Sequence, residues 1–247
     1  MKVTIKNILF FATCIISLFF FILLFLFIKS NTTSTPIKKV QTDEKITVVL
    51  DAGHGGEDGG AIGVSGVYEK DLNLSITLKI GEYLKEHNIN AVYTRTEDIL
   101  LYDRNADFKN RKKALDLAAR VKIASQTQNC IFVSIHMNSF SESKYNGLQV
   151  YYSKNNPKSY TLANEIQKEI KNKLQPFNNR KVSQATSRIY LLDRLMCPAV
   201  LIECGFLSNP EECKLLETEI YQNQLAKIIS HIIANYVEEN SQTVLTN

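Results

Sequence analysis

Val48-Val49-Leu50-Asp51-Ala52-Gly53-His54-Gly55-Gly56 joins an apolar, β-branched run to an acid, a histidine and three glycines. The first part reads as a buried strand and the second as a tight loop that presents one imidazole. Two later stretches end the same way. Ile131-Phe132-Val133-Ser134-Ile135 runs into His136-Met137-Asn138, and Ala199-Val200-Leu201-Ile202 runs into Glu203-Cys204-Gly205. In open α/β sheets ligands bind beyond the carboxyl ends of the strands. Three such ends carrying His, His and Glu are expected to converge on one metal site.

Outward from these runs, strand and helix patterns alternate. Strands are expected over Ile46 to Leu50, Ala91 to Thr94, Ile131 to Ile135, Leu148 to Tyr152, Ile189 to Leu192 and Ala199 to Glu203. Apolar residues recur at helical spacing in Leu72 to Glu86, about Lys112 to Ser125, Ser159 to Leu174 and Ile220 to Tyr236, with Pro210 suited to the first turn of a short helix. The alternation predicts a single α/β domain, a twisted and mainly parallel sheet of about six strands with helices on both faces.

Ahead of that domain, Ile8 to Ile28 is apolar at every position but Thr13, Cys14 and Ser17. Such a run is long enough to cross a bilayer as a helix, which needs about 20 residues. Lys2 and Lys6 precede it, which favours a cytoplasmic N-terminus and an exported body. No A-x-A-like cleavage site follows, so an uncleaved anchor is preferred to a signal peptide. The expected organisation is a transmembrane anchor over 1–29, a flexible polar tether over 30–44, a catalytic domain over 45–237 and a polar tail over 238–247.

The net charge is +4, with Lys and Arg scattered among Asp and Glu, so no nucleic-acid footprint stands out. The balance suits weak attraction to an anionic surface such as a cell wall or lipid headgroups. The five cysteines form no C-x-x-C pair, which argues against a thiolate zinc knuckle, and a domain of this size does not need disulfides. Cys130 and Cys204 read as small core residues beside strands.

A catalytic zinc takes three ligands from His and carboxylate and keeps one position open. Of the four histidines, His87 and His231 fall on or beside helices, whereas His54 and His136 both cap strands. The third ligand is expected to be a carboxylate. Glu69 opens a helix in Tyr68-Glu69-Lys70-Asp71-Leu72, and Asp71, Glu57 and Asp58 compete with it on spacing alone. The glycine loop lacks G-K-S/T and G-x-G-x-x-G and holds two acids where phosphate would lie, so it reads as backbone passing close to a metal. Glu203 ends a strand that reads as buried on both faces. Partial desolvation there should raise its pKa toward the range useful for proton transfer.

At these residues the chain resembles a known family. Leu50-Asp51-Ala52-Gly53-His54-Gly55-Gly56, Glu69-Lys70-Asp71-Leu72-Asn73, Ser134-Ile135-His136-Met137-Asn138 and Pro198 to Asn209 are similar to the zinc-dependent N-acetylmuramoyl-L-alanine amidases of the amidase-3 type, in the family's order, across Lys45 to Tyr236. The resemblance implies Zn2+ held by His54, Glu69 and His136, with Glu203 as catalytic acid-base. It selects Glu69 over Asp71. It aligns Arg120 with an arginine ahead of the second-histidine strand, places Ser125 where the family usually has Asn, and marks Asn138 and Arg120 as expected substrate contacts. The reaction it implies is hydrolysis of the peptidoglycan amide between the lactyl group of N-acetylmuramic acid and L-alanine.

Many family members carry wall-binding repeats. None is recognisable here, and the single N-terminal anchor looks like the CwlD-like branch, which strips peptides from spore-cortex muramic acid so that muramic-δ-lactam can form. That branch implies a membrane-anchored enzyme whose catalytic domain faces the space around the forespore, and an activating or localising partner protein. The rival readings are a vegetative cell-wall or cell-separation amidase, a catalytically silent wall-binding regulator on the same scaffold, and a zinc carboxypeptidase.

Overall fold

The Val48–Gly56 run folds as a strand, β1 (Thr47–Ala52), and leaves the sheet at Gly53. The computed structural model describes residues 5–31, 45–103 and 111–242. Backbone contacts divide the chain into two units, Met1–Asp43 and Glu44–Asn247.

In the first unit the described residues form one helix, α1 (Ile5–Asn31). Its described side chains from Ile15 to Phe27 are exposed. Among the described residues no helix is long and apolar enough to cross a membrane. The span expected over Ile8 to Ile28 is therefore not seen among the described residues. The expected tether lies outside the described residues from 32 to 44.

The second unit holds β1, α2 (Glu69–Glu86), β2 (Ala91–Tyr93), α3 (Lys112–Gln126), β3 (Cys130–Asn138), β4 (Gln149–Tyr152), α4 (Lys158–Lys173), β5 (Ser183–Gln184), α5 (Tyr190–Arg194), β6 (Ala199–Phe206), α6 (Pro210–Leu216) and α7 (Glu219–Gln242). The strands form one six-stranded sheet in the order β2-β1-β3-β6-β4-β5. The first four run parallel, β4 is antiparallel to β6, and β5 is parallel to β4. The chain leaves β1 toward β2 by way of α2 and returns by way of α3 to β3 on the other flank of β1. That reversal makes the β1/β3 carboxyl end a topological switch point, where α/β sheets place their ligands.

Strand side chains alternate between two cores, as a period of two requires. Val48, Leu50, Ile131, Val133, Ile135, Val200 and Ile202 pack with α2, α4 and α7; Val49, Phe132, Ala199 and Leu201 pack with α3 and α5. Helix α2 buries Leu72, Ile76, Ile80 and Leu84, all at 5% exposure or less, and each such side chain contributes about 1.5–3 kcal/mol.

Two expectations fail. Ile189 to Leu192 is not a strand; most of it belongs to α5, whose Leu191 and Leu192 fill the smaller core. A four-residue apolar run carries no period that separates strand from helix. The sixth strand is instead β5, a polar two-residue piece. The expected tail also begins later, since α7 runs to Gln242 with Asn240 and Ser241 bonding back to the carbonyls of Tyr236 and Val237. Residues 243–247 lie outside the described residues, as do 104–110 of the charged loop.

Candidate active site

His54, Glu69 and His136 meet beyond the ends of β1 and β3, each offering a ligand atom within 4.8 Å of the others. Three local features bring them there. His54 adopts a left-handed backbone conformation, φ 62°, which turns the chain sharply after Gly53. His136 sits near the end of β3 on the face that also carries Phe132 and Ser134, just before a register irregularity between His136 and Asn138. Glu69 enters from the first turn of α2, and is 4% exposed. Glu69 Oε1 lies 3.3 Å from His54 Nε2 and 3.0 Å from His136 Nδ1. Ligand atoms about 2.0–2.1 Å from a tetrahedral zinc are about 3.3 Å apart, so this donor set fits such an ion. Asp71, Glu69's competitor, faces solvent, as does Glu57.

The carboxylate is held before any ion arrives. Glu69 Oε1 accepts from Met137 N at 3.1 Å, and Oε2 accepts from Ala61 N at 2.8 Å. Two glycines leave room for the rings. A Cβ on Gly53 would stand 2.2 Å from His136 Cε1, and one on Gly60 (φ 69°) would stand 2.5 Å from Glu69 Oε2 and 2.9 Å from His54 Cδ2.

The field of the site is negative. Asp58 Oδ2 lies 2.9 Å from His54 Nδ1 and pairs with the ring when it is charged. Burial opposes charge on His54, yet Asp58 and Glu69 prevail and push its pKa up to about 9. Burial likewise opposes charge on Glu69, and the two imidazoles hold it far below the usual carboxylate range. Carboxylates outcompete desolvation in favour of a cation, whether proton or metal.

Glu203 is the register partner of His136, one strand over in β6. Its Oε2 is shut off from solvent and has no hydrogen-bond partner. Burial chiefly, with the nearby Glu69 charge against the opposing imidazoles, raises its pKa to about 7. A carboxyl group with a free oxygen and a pKa near neutrality can both take and return a proton.

Arg120 corrects an expectation. It is 1% exposed, and all five of its N–H donors go to protein: Nε and Nη2 to Asp116, Nη1 to Asp51 Oδ1 and Ala52 O, and Nη2 also to His54 O. It has no donor left for a substrate and acts instead as the anchor of the His54 loop. Asp51, 0% exposed, also accepts from Ser134 and Thr94. Arg95 and Asn73 complete the anchorage through Ala52 O and Gly53 O. Sequence reading missed Arg95, Asn73, Asp51 and Asp116. The available signal was an acid inside a buried strand, which needs a buried cation.

Asn138 is half-buried at the end of β3, where its carbonyl accepts from Leu207 N at 2.8 Å. His87 and His231 are exposed and lie beside each other, 6.4 Å between ring centroids, on α2's end and α7. Cys130, Cys197, Cys204 and Cys213 are free thiols, with Cys130 and Cys204 in the core as expected.

The amidase-3 family, described as N-acetylmuramoyl-L-alanine amidase, matches residues 48–235. The chain is 36% identical over 222 residues to the germination-specific N-acetylmuramoyl-L-alanine amidase of Bacillus subtilis (strain 168), spanning 89% of this chain and 92% of that protein. It is similar to the solved CwlD amidase of Clostridioides difficile in complex with the GerS lipoprotein, at 42% identity and TM-score 0.74 over 79% of this chain and 100% of that one. It is also similar to the catalytic domain of CwlV, an N-acetylmuramoyl-L-alanine amidase from Bacillus (Paenibacillus) polymyxa var. colistinus, at 34% identity and TM-score 0.66 over 78% of this chain and 98% of that one.

Proposed function

The chain belongs to the amidase-3 family of N-acetylmuramoyl-L-alanine amidases, and we propose that it uses zinc to hydrolyse the amide joining the lactyl group of N-acetylmuramic acid to L-alanine. The observation that carries this reading is the cluster of His54, Glu69 and His136 with Glu203 as its strand neighbour. His54, Glu69 and His136 would hold the ion. Bound there, zinc supplies Lewis-acid polarisation of the scissile carbonyl. Glu203 takes a proton from the attacking water and delivers it to the leaving nitrogen. Arg120, Arg95 and Asn73 fix the loop that carries His54, and Asn138 lines the substrate side.

The role we assign is in the spore cortex, where peptide removal precedes muramic-δ-lactam formation. Similarity to the germination-specific amidase and to CwlD supports it. The complex of CwlD with the GerS lipoprotein supports a partner protein for this chain too. A membrane anchor over Ile8 to Ile28, with the catalytic unit outside the cytoplasm, is supported by the unbroken apolar run and the lysines ahead of it.

Mass spectrometry of peptidoglycan digested with the full chain tests the chemistry. New muramic acid carboxyl ends and free L-alanine amino ends are expected, absent after chelation and restored by Zn2+. Cleavage between amino acids instead would point to a peptidase. In spores lacking the protein, muramic-δ-lactam should be missing; normal levels would assign the enzyme to vegetative wall turnover.

Gly53→Ala probes the pocket for the second imidazole. With a Cβ placed 2.2 Å from His136 Cε1, the ring must swing away. Overpacking of this kind costs about 1–3 kcal/mol, so the variant should fold while holding zinc well below stoichiometry. Full zinc content with full activity would show that the ring does not need that space.

A further inference from the structure

The reacting groups lie in a row fixed by strand register: His136 opposite Glu203, and Glu203 opposite Gln149. Neighbouring strands are about 4.8 Å apart, so Gln149 stands one strand beyond the acid, on the flank away from His54. There Arg180 Nη1 donates to Gln149 Oε1 at 3.3 Å and Nε donates to Asn146 O at 2.8 Å. The guanidinium stacks 4.4 Å from the Phe206 ring centroid and 6.0 Å from that of Tyr145. Lys144 Nζ also lies over Tyr145, 5.4 Å from its ring centroid. Arg180, Lys144 and Tyr145, with Asn146, Phe177, Asn178 and Asn179, border an open depression of ≈ 290 Å³, and Gln149 and Phe206 hold Arg180 from outside it.

The depression has the charge of an anion site. Among the described residues no carboxylate lies within ion-pair distance of Arg180, and its Nη2 makes no hydrogen bond. Glu212, whose charge it feels, spends its oxygens on the N–H groups of Gly147 and Phe206. Lys144 meets Glu142 at 2.5 Å in an exposed pair, which is worth little in water. A half-buried guanidinium fixed on an aromatic ring presents a planar fork at low entropic cost, the arrangement that favours two-pronged capture of a carboxylate.

We propose that this depression binds a carboxylate of the peptidoglycan stem peptide through Arg180, with Lys144 assisting. The proposal rests on the amidase reading. The leaving nitrogen must lie beside Glu203, which protonates it, so the departing peptide extends away from His54 and toward β4. The carboxylates of the second and third residues of the stem, which follow the leaving nitrogen, are the two groups that the Arg180 subsite would select between.

The test compares three soluble muropeptides: one with both carboxylates free, one amidated at the second residue and one amidated at the third. With the full chain, amidation at one of the two positions should lower kcat/KM about tenfold, the size of one charged hydrogen bond. Arg180→Gln should lose a similar factor on the free form, mostly in KM. On the amidated form that matters, its loss should shrink to under about twofold. Arg180→Lys, which keeps the charge and the packing stem, should fall between the two and guards against a folding defect. Equal rates of the wild-type protein on all three substrates, or an equal loss by Arg180→Gln on all three, would overturn the subsite. Cleavage of none of them by the wild-type protein would overturn the amidase reading along with it.

Discussion

Replacing Glu203 by glutamine should cut turnover by about 10²–10⁴-fold, the usual worth of general acid-base help, while bound zinc stays stoichiometric. Glutamine keeps the shape and one oxygen but can no longer take a proton. The same variant should be more stable than the wild type once metal is removed. In the folded protein Glu203 has its pKa raised from 4.5 to about 7, so the folded state binds the proton more tightly than the unfolded chain. Stability therefore falls as pH rises from about 4.5 through 7, and above 7 the ionised group costs roughly 3 kcal/mol. Glu203→Gln removes that cost. Thermal melts of the metal-free proteins should differ by roughly 6–12 °C at pH 8 and coincide near pH 4. An active variant would unseat Glu203 as the acid-base; melts that coincide at pH 8 as well would show that burial does not oppose its charge.

Removing Arg120 should do the largest damage to the fold. Arg120→Met strands Asp51 and Asp116, 0% and 2% exposed, with no cation between them. Breaking a buried pair by deleting one partner costs about 3–5 kcal/mol, out of a total that is typically 5–15 kcal/mol. Chemical denaturation measures it directly. Asp51→Asn in the Arg120→Met background should regain part of the loss, because it removes one of the uncompensated charges. A single variant within about 1 kcal/mol of wild type would mean that water reaches the two acids.

What sequence conveyed here depended on distance along the chain. The sheet and the long helices were legible because their periods of two and 3.6 repeat over many residues. Strand-end position alone marked His54, His136 and Glu203. Spacing put Glu69 only slightly ahead of Asp71, since both lie in the first turn of α2. Only the helix's placement against β3 turns the first inward and leaves the second in solvent. The Asp51–Arg120 pair joins residues 69 positions apart, and nothing local announces it. The family resemblance marked Arg120 as a substrate contact, and its neighbours along the chain do not reveal its burial. The short run Ile189 to Leu192 was misread for the opposite reason: too few residues to hold a period, in a place where packing on Leu195 and Phe132 decides.

His136, Glu203 and Gln149 stand side by side on three adjacent strands of one hydrogen-bonded sheet. The gap between a metal ligand and its proton carrier is thus a lattice constant of the backbone, indifferent to which side chains occupy the tips. A protein engineer could rewrite those few letters for another hydrolysis and inherit the spacing unchanged.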